Sequence, residues 1–229
     1  MDSAHLFVYH YCMGKIVRFF KLSFKCFRGL FLALKLLFNP EDLQTLIKLG
    51  DLLSDLPAYS VALTQLKKDP QAKILIEERY AQGIPSLHEL KNYPEDSLGR
   101  AYYNQLTKFN LEPYVSTTIK SPSENIYLRE RSREIHDIIH TVLDLGITTE
   151  EEAQVNAFFM VKGATPFTTI IVVGAFLHVI FKRPSELPRL IQMVQKSWNL
   201  ASQAKSPFAI KWEEFMNRPL AEAKKELGI

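Results

Sequence analysis

Two histidines and an aspartate lie within five consecutive residues of the sequence, His136-Asp137-x-x-His140, and Glu152 follows after eleven further residues. In an α-helix the two imidazoles are one turn apart and Asp137 projects from the same side. Imidazole nitrogens and carboxylate oxygens are common ligands of divalent metals. The spacing therefore predicts a metal site on one helix, completed by Glu152 from the next.

Ordinary structural roles also fit these residues. The histidines could be partly buried side chains with conventional hydrogen bonds. Glu152 could reach back to Thr149, because the two have the spacing of a capping box at the start of a helix. Thr148 and Glu151 have the same spacing, however, and a box between them would leave Glu152 for the metal.

Two arginines, Arg129 and Arg133, extend the same helix face towards its N-terminus. Guanidinium groups bind carboxylate and phosphate in a bidentate manner. We expect them to hold the acidic head group of a substrate whose reacting atom lies at the metal. They could equally pair with Glu130 and Glu134, and Arg133 could pair with Asp137 one turn later.

Helix start and stop signals recur from residue 39 onwards and predict the elements that position these residues. A helix capped by Ser123 and stopped by Gly146 precedes a helix that runs from Thr148/Thr149 to near Gly163. Further helices are predicted at Ala58–Lys68, Leu98–Asn110, Pro166–Phe181, Ser185–Ala204 and Pro219–Leu227. Tyr114–Ile119 is the only plausible strand. The sequence thus predicts an all-α fold, a single-domain bundle of helices.

The longest apolar segment, Gly163–Phe181, has no charged residue. Its length is sufficient for a transmembrane helix. It contains several threonines, a proline and a histidine, and the mean hydropathy of the chain, −0.06, is ordinary for a soluble protein. We expect a fully buried central helix, lining an apolar cavity, rather than a membrane span.

The net charge of +3 is unevenly distributed over the 229 residues. Residues 1–40 carry six basic side chains and one acidic one, a net charge of +5, whereas residues 41–229 carry 22 and 24, a net charge of −2. The basic character therefore belongs to the N-terminus, which argues against a nucleic-acid partner for the whole domain. Two cysteines exclude a disulfide framework.

Residues 1–38 read as a basic amphipathic helix, followed by a helical domain over residues 39–229. One face is basic and the other aromatic, with Arg18, Lys21, Lys25, Arg28 and Lys35 opposite Phe19, Phe20, Phe24, Phe27, Phe31 and Phe38. This composition is typical of a helix on an anionic membrane surface. The alternatives are a helix that docks its phenylalanines on the core and, less favoured because serine is scarce, a transit peptide.

The metal motif resembles that of the Coq-four family of coenzyme Q (ubiquinone) biosynthesis proteins, with identical spacing. Three other stretches are similar to the family: Gly99-Arg100-Ala101-Tyr102, Tyr127-Leu128-Arg129-Glu130-Arg131, and Trp212-Glu213-Glu214 with Arg218-Pro219-Leu220. The resemblance covers about residues 40–229. The absence of a long targeting extension favours a bacterial homologue.

The resemblance implies a helical protein that associates peripherally with membranes, on the cytoplasmic face in bacteria or the matrix side of the inner membrane in mitochondria. It implies His136, Asp137, His140 and Glu152 as ligands of a divalent metal, zinc before iron or magnesium, beside an apolar cavity for a polyprenyl tail. The implied substrate is a polyprenylated benzoate, and the implied reaction is oxidative decarboxylation at ring carbon 1, a lyase activity that the sequence leaves uncertain.

The resemblance also implies partners, namely the other quinone-biosynthesis enzymes, and a homodimer is possible. A non-catalytic scaffold that binds prenyl lipid and organises these enzymes is therefore the main alternative to a metal-dependent enzyme. A phosphohydrolase of the HD type fits poorly, because it needs a further histidine upstream. The nearest candidate, His88, lies 48 residues before His136.

Overall fold

The computed structural model describes residues 23–36, 38–39, 42–54 and 56–229. The chain divides into two compact units, with the boundary between Leu52 and Leu53. The sequence instead predicts a boundary between an N-terminal helix and the helical domain after residue 38, and that boundary stays a prediction. The first unit contains a helical segment over residues 23–36 (α1), and α2 (Leu43–Ser54) begins in it.

Among the described residues of the second unit there are nine further helices, with three short 3₁₀ turns between the later ones. The helices are α3 (Pro57–Leu66), α4 (Pro70–Glu78), α5 (Leu87–Leu90), α6 (Leu98–Lys108), α7 (Glu124–Leu143), α8 (Thr149–Gly163), α9 (Pro166–Lys182), α10 (Leu187–Gln203) and α11 (Leu220–Leu227). No strand occurs in the part of the chain that the structure describes; a single antiparallel bridge joins Ser97 and Pro219. The all-α prediction is confirmed.

Tyr114–Ile119, predicted as a strand, lies in an irregular loop, so that prediction is wrong. The loop is held by its side chains rather than by a neighbouring strand. Ile119 is buried in the core, and the hydroxyls of Tyr114 and Ser116 donate to Glu130 on α7. The β-branched and aromatic residues of this segment therefore anchor a loop to α7 and the core and do not form a strand.

The core of the second unit is built around α7 and α8. One face of α7 buries Ile135, Ile138, Ile139 and Val142, at the i, i+3, i+4, i+7 spacing of an amphipathic helix. Most of α8 from Ala153 to Phe159 is buried, and this helix packs against α3, α7, α9 and α10. The helix that carries Glu152 is therefore enclosed by four neighbouring helices.

The prediction of a fully buried central helix at Gly163–Phe181 is wrong. α9 buries one face, which includes Val172 and Val179, while Val173 is 50% and Phe181 is 71% exposed. Among the described residues, no helix combines the length and the apolar character needed to cross a bilayer. The apolar cavity that this helix was expected to line stays a prediction.

The separate stretches of the family resemblance meet in space. The amide of Leu98 donates to Arg218 O at 2.9 Å, and that of Gly99 donates to Met216 O at 2.8 Å. A side chain at position 99 would bring its Cβ within 2.7 Å of that carbonyl oxygen and 2.6 Å of the Tyr93 ring. Glycine is needed here because the backbone of α6 approaches the C-terminal segment so closely.

Candidate metal centre

The turn between α7 and α8 brings the end of one helix to the start of the next. α7 ends at Leu143, and Asp144 adopts the left-handed conformation with φ 54°. Gly146, which we expected to stop the helix, has another role, because a Cβ there would lie 2.6 Å from a Glu151 carboxylate oxygen. The turn therefore leaves room for the carboxylate that caps α8.

Three consecutive glutamates at the start of α8 have three different partners. Glu151 forms the capping box with Thr148, its carboxylate accepting from the Thr148 amide at 3.1 Å. Glu150 pairs with Arg183 at 2.7 Å. Glu152 is thus left to face α7, which confirms that the box forms between Thr148 and Glu151 rather than Thr149 and Glu152.

His136, His140 and Glu152 form one group whose possible ligand atoms all lie within 4.8 Å of one another. The Nε2 atom of His136 is 3.4 Å from Glu152 Oε2, and that of His140 is 3.3 Å from Oε1. Each imidazole therefore faces its own oxygen of the same carboxylate. Two nitrogen donors and one carboxylate converge from two helices, as the sequence predicts.

Asp137 lies beside the group rather than within it. Its Oδ1 is 3.1 Å from His136 Nδ1, the ring nitrogen opposite the one that faces Glu152. A carboxylate on the far nitrogen of a histidine ligand fixes the tautomer and orientation of the ring in many metal sites. This geometry favours Asp137 as an orienting residue over the direct ligand that we expected.

The electrostatics of the group favour a positive charge between the helices. Burial disfavours the imidazolium form of His136, but the carboxylates of Glu152 and Asp137 outweigh it and raise the pKa of His136 to about 10. Burial alone would raise the pKa of Glu152, yet the two imidazoles hold it well below its usual range. In the metal-free chain the His136 proton is the cation that these carboxylates stabilise.

His140 gives the sharpest indication that the group fits a metal. Its side chain is 2% exposed; Nδ1 has no hydrogen-bond partner among the described residues, and Nε2 faces only the Glu152 carboxylate at 3.3 Å, without the geometry of a hydrogen bond. A buried polar group without a partner is costly, so it calls for an explanation. A metal bound at Nε2 would give that nitrogen a strong ligand bond in place of the poorly aligned contact with Glu152, and the donor set of two imidazoles and a carboxylate suits zinc or ferrous iron.

Arg129 and Arg133 both contact Glu130, one of the two partners named by the alternative interpretation. Arg129 Nη2 lies 2.7 Å and Arg133 Nη1 lies 3.3 Å from Glu130 Oε1. Glu130 is nearly fully buried and also accepts the two hydroxyl hydrogen bonds of the neighbouring loop. Head-group binding by the two arginines stays a prediction.

Glu134 pairs with Arg131, not with the arginines of the metal face. The Arg131 guanidinium lies 3.4 Å from Glu134 and makes two hydrogen bonds with Glu213, and all three side chains are nearly fully buried. This ion-pair cluster lies on the opposite side of α7 from the histidines. It joins two of the stretches that resemble the family.

Sequence reasoning missed Phe159, whose ring lies parallel to that of His136. Glu152 and Phe159 are seven residues apart on α8, so both project from the same helix face. That spacing was available from the sequence and could have identified the contact. His88, by contrast, is exposed and outside the ligand group, which leaves the HD-type alternative without its extra histidine among the described residues.

The comparison with protein families matches residues 22–229 to the family described as coenzyme Q (ubiquinone) biosynthesis protein Coq4. The match covers both helices of the ligand group and the C-terminal stretches that pack on α6. The chain belongs to the Coq4 family. The resemblance drawn from the metal motif is therefore confirmed at the level of the family.

Individual Coq4 relatives are distant. The chain is 28% identical to the mitochondrial ubiquinone biosynthesis protein COQ4 of Komagataella phaffii over 83% of its own length and 64% of that protein. It is 32% identical to the mitochondrial COQ4 homologue of Cryptosporidium parvum over 65% of its own length and 50% of that protein. The chain thus spans between half and two thirds of these relatives.

A solved structure shares the Coq4 fold of this chain. A protein of Nostoc punctiforme assigned to ubiquinone biosynthesis superposes with a TM-score of 0.76, covering 88% of this chain and 96% of that one. The sequence identity is 22%, so the likeness establishes the fold alone.

Proposed function

We propose that this Coq4 chain acts in ubiquinone biosynthesis by binding a polyprenylated aromatic acid at a divalent metal held by His136, His140 and Glu152. The observation that carries the proposal is the buried His140 imidazole, which has no hydrogen bond yet faces a carboxylate. The mitochondrial relatives named for ubiquinone biosynthesis support the pathway. The substrate and the reaction follow from the family resemblance.

His136, His140 and Glu152 would hold the metal with open positions left for substrate, and the bound metal would supply Lewis acidity towards a carboxylate or phenolate oxygen. The proposed reaction removes CO2 from ring carbon 1 and adds a hydroxyl oxygen there, so dioxygen and a source of electrons must be supplied. Zinc performs no redox chemistry, whereas ferrous iron does. The oxidative form of the reaction therefore favours iron during turnover, even where zinc binds more tightly.

The chain's own residues contribute orientation around this centre. Asp137 accepts a hydrogen bond from His136 Nδ1 and so keeps Nε2 directed at the site. We expect Arg133 and Arg129, one and two turns before His136 on α7, to pair with a second acidic group of the substrate besides their contact with Glu130. Burial of His140 and of the α8 face excludes water from one side of the site.

A scaffold without catalytic activity is the second candidate. Exposed apolar side chains on α9, among them Val173, Ile180 and Phe181, favour it because they offer a surface to partner enzymes. The test is product formation in cells that depend on this chain. With Glu152→Gln, the enzyme proposal requires loss of ring-hydroxylated product while the biosynthetic complex still assembles; loss of assembly together with product supports the scaffold.

The raised pKa of His136 predicts that metal binding depends on pH. Because the metal-free site holds a proton at any pH below about 10, metal must displace it, and affinity should rise about tenfold per pH unit between pH 7 and 8.5. Titration calorimetry with Zn²⁺ in buffers of different ionisation enthalpy should show about one proton released. An affinity that does not change over this range would mean that His136 is already neutral.

We also propose that α1 contacts an anionic membrane surface. Phe24, Phe27 and Phe31 are 63–71% exposed, and exposed aromatic side chains of this kind are suited to a lipid surface. The remaining phenylalanines and basic residues of the predicted helix before residue 23 lie outside the described part of the chain. The mitochondrial names of the relatives support the mitochondrial membrane over a bacterial one.

The membrane proposal predicts that Phe27→Glu with Phe31→Glu weakens binding to anionic vesicles by at least about tenfold. Each phenylalanine contributes roughly 1.5–3 kcal/mol when it leaves water, and each added carboxylate repels the lipid head groups. Co-sedimentation with phosphatidylglycerol-containing vesicles measures the effect. The matched control is Val61→Glu, an exposed apolar residue on α3, which should bind like the wild type. Equal binding by all three proteins would contradict the proposal.

A further inference from the structure

The two histidines of the proposed metal site are held in different ways. The His140 side chain is 2% exposed, so the close packing around it restricts its rotamer. The His136 side chain is 26% exposed and lies at the rim of the group. Its orientation must therefore come from specific contacts, and a metal site requires a ring held to within about 10–20° of its productive geometry.

Besides His140 and the Glu152 carboxylate that faces Nε2, two contacts hold the His136 ring. Asp137 Oδ1 lies 3.1 Å from Nδ1 and fixes one edge. The Phe159 ring lies on one face, 8° from parallel, with the two ring centroids 6.3 Å apart. This is the offset parallel arrangement that aromatic pairs prefer over direct superposition. A hydrogen bond to one edge still allows the ring to tilt, and the Phe159 ring opposes that tilt.

Phe159 is itself rigid. It is 3% exposed, and its ring packs against Phe208 with the centroids 5.6 Å apart and the planes 57° from parallel. Phe159 follows Glu152 by two turns on the same face of α8. Helix α8 therefore provides the ligand Glu152 and also the Phe159 ring, against which His136 of α7 packs.

We propose that Phe159 is a positioning residue of the metal site, whose ring holds the His136 imidazole with Nε2 directed towards Glu152. The role in metal binding rests on the proposed function. The ring contact itself belongs to the metal-free chain, so it can be tested separately.

The test compares Phe159→Leu with Phe158→Leu, the same substitution one residue earlier on α8. Phe158 is fully buried in the core, and its ring contacts neither histidine among the ring pairs that the structure describes. In metal-free protein, the His136 ring proton signals, assigned from their loss in His136→Gln, should shift in Phe159→Leu only. Zn²⁺ affinity should fall about two- to tenfold in that variant, which is the change in affinity that corresponds to the interaction energy of one aromatic pair. It should stay unchanged in Phe158→Leu.

The outcomes separate the ring contact from the metal site. If the wild type binds no metal while the His136 signals shift only in Phe159→Leu, the proposed function fails and the ring contact stands. If Phe159→Leu keeps the wild-type His136 signals, or if both variants lose affinity equally, Phe159 has only a packing role and the inference is overturned.

Discussion

His140→Ala is expected to lower the metal affinity of this chain by about a hundred- to a thousandfold. This is the ratio that corresponds to one quarter of the binding free energy of zinc sites with four ligands, which is about 10–16 kcal/mol. The imidazole is one of two nitrogen donors facing Glu152, and no other described histidine, cysteine or carboxylate belongs to the group. Metal that raises the unfolding midpoint of the wild type should leave the midpoint of the variant unchanged, because stabilisation follows the ratio of ligand concentration to Kd.

The exposed His88 provides the matched control for this substitution. His88→Ala should bind metal and respond to it like the wild type, because the residue lies outside the ligand group. Glu152→Gln provides a second test that preserves shape and volume, since His140→Ala leaves a cavity that could disturb folding. Retained affinity in both site variants would show that the three residues are structural and that no metal binds between them.

The sequence predicted this group because its geometry is mostly local. The four-residue separation of His136 and His140 fixes their common direction on any helix. Glu152 could be assigned because the competing capping role had a better candidate in Glu151, and the structure confirms that choice. The family could be recognised for the same reason, because the motif lies within seventeen residues and can be identified without knowledge of the fold.

Features that depend on packing between distant segments could not be predicted in this way. The apolar composition of α9 indicated burial, but one face of the helix is exposed, because composition does not specify how many neighbours cover a helix. Tyr114–Ile119 has strand-forming residues, yet the side-chain contacts with α7 override that propensity. The contact between Arg131 and Glu213 joins residues 82 positions apart, and no periodic pattern connects them.

Arg131→Met is expected to lower the free energy of unfolding by about 3–5 kcal/mol, the cost of removing one partner from a buried ion pair. The guanidinium is buried and lies between Glu134 and Glu213, so its loss leaves two buried carboxylates without a cation. Burial already raises the pKa of Glu134 despite Arg131. A folded-state pKa above the unfolded value costs stability as pH rises. The defect should therefore be larger at pH 7.5 than at pH 5, as urea unfolding at the two pH values would measure.

Two further variants test whether the loss of stability in Arg131→Met comes from its buried charge. Lys205→Met removes the same kind of charge from an exposed pair with Glu226 and should change stability by no more than about 0.5 kcal/mol. Arg131→Met combined with Glu213→Met should recover part of the loss, because it removes one of the two carboxylates that Arg131 compensates and leaves only Glu134 without a cation. A defect that is the same at both pH values and persists in the double variant would show that Arg131 acts through its volume. In that case the stretches around residues 131 and 213 would be joined by packing rather than by charge.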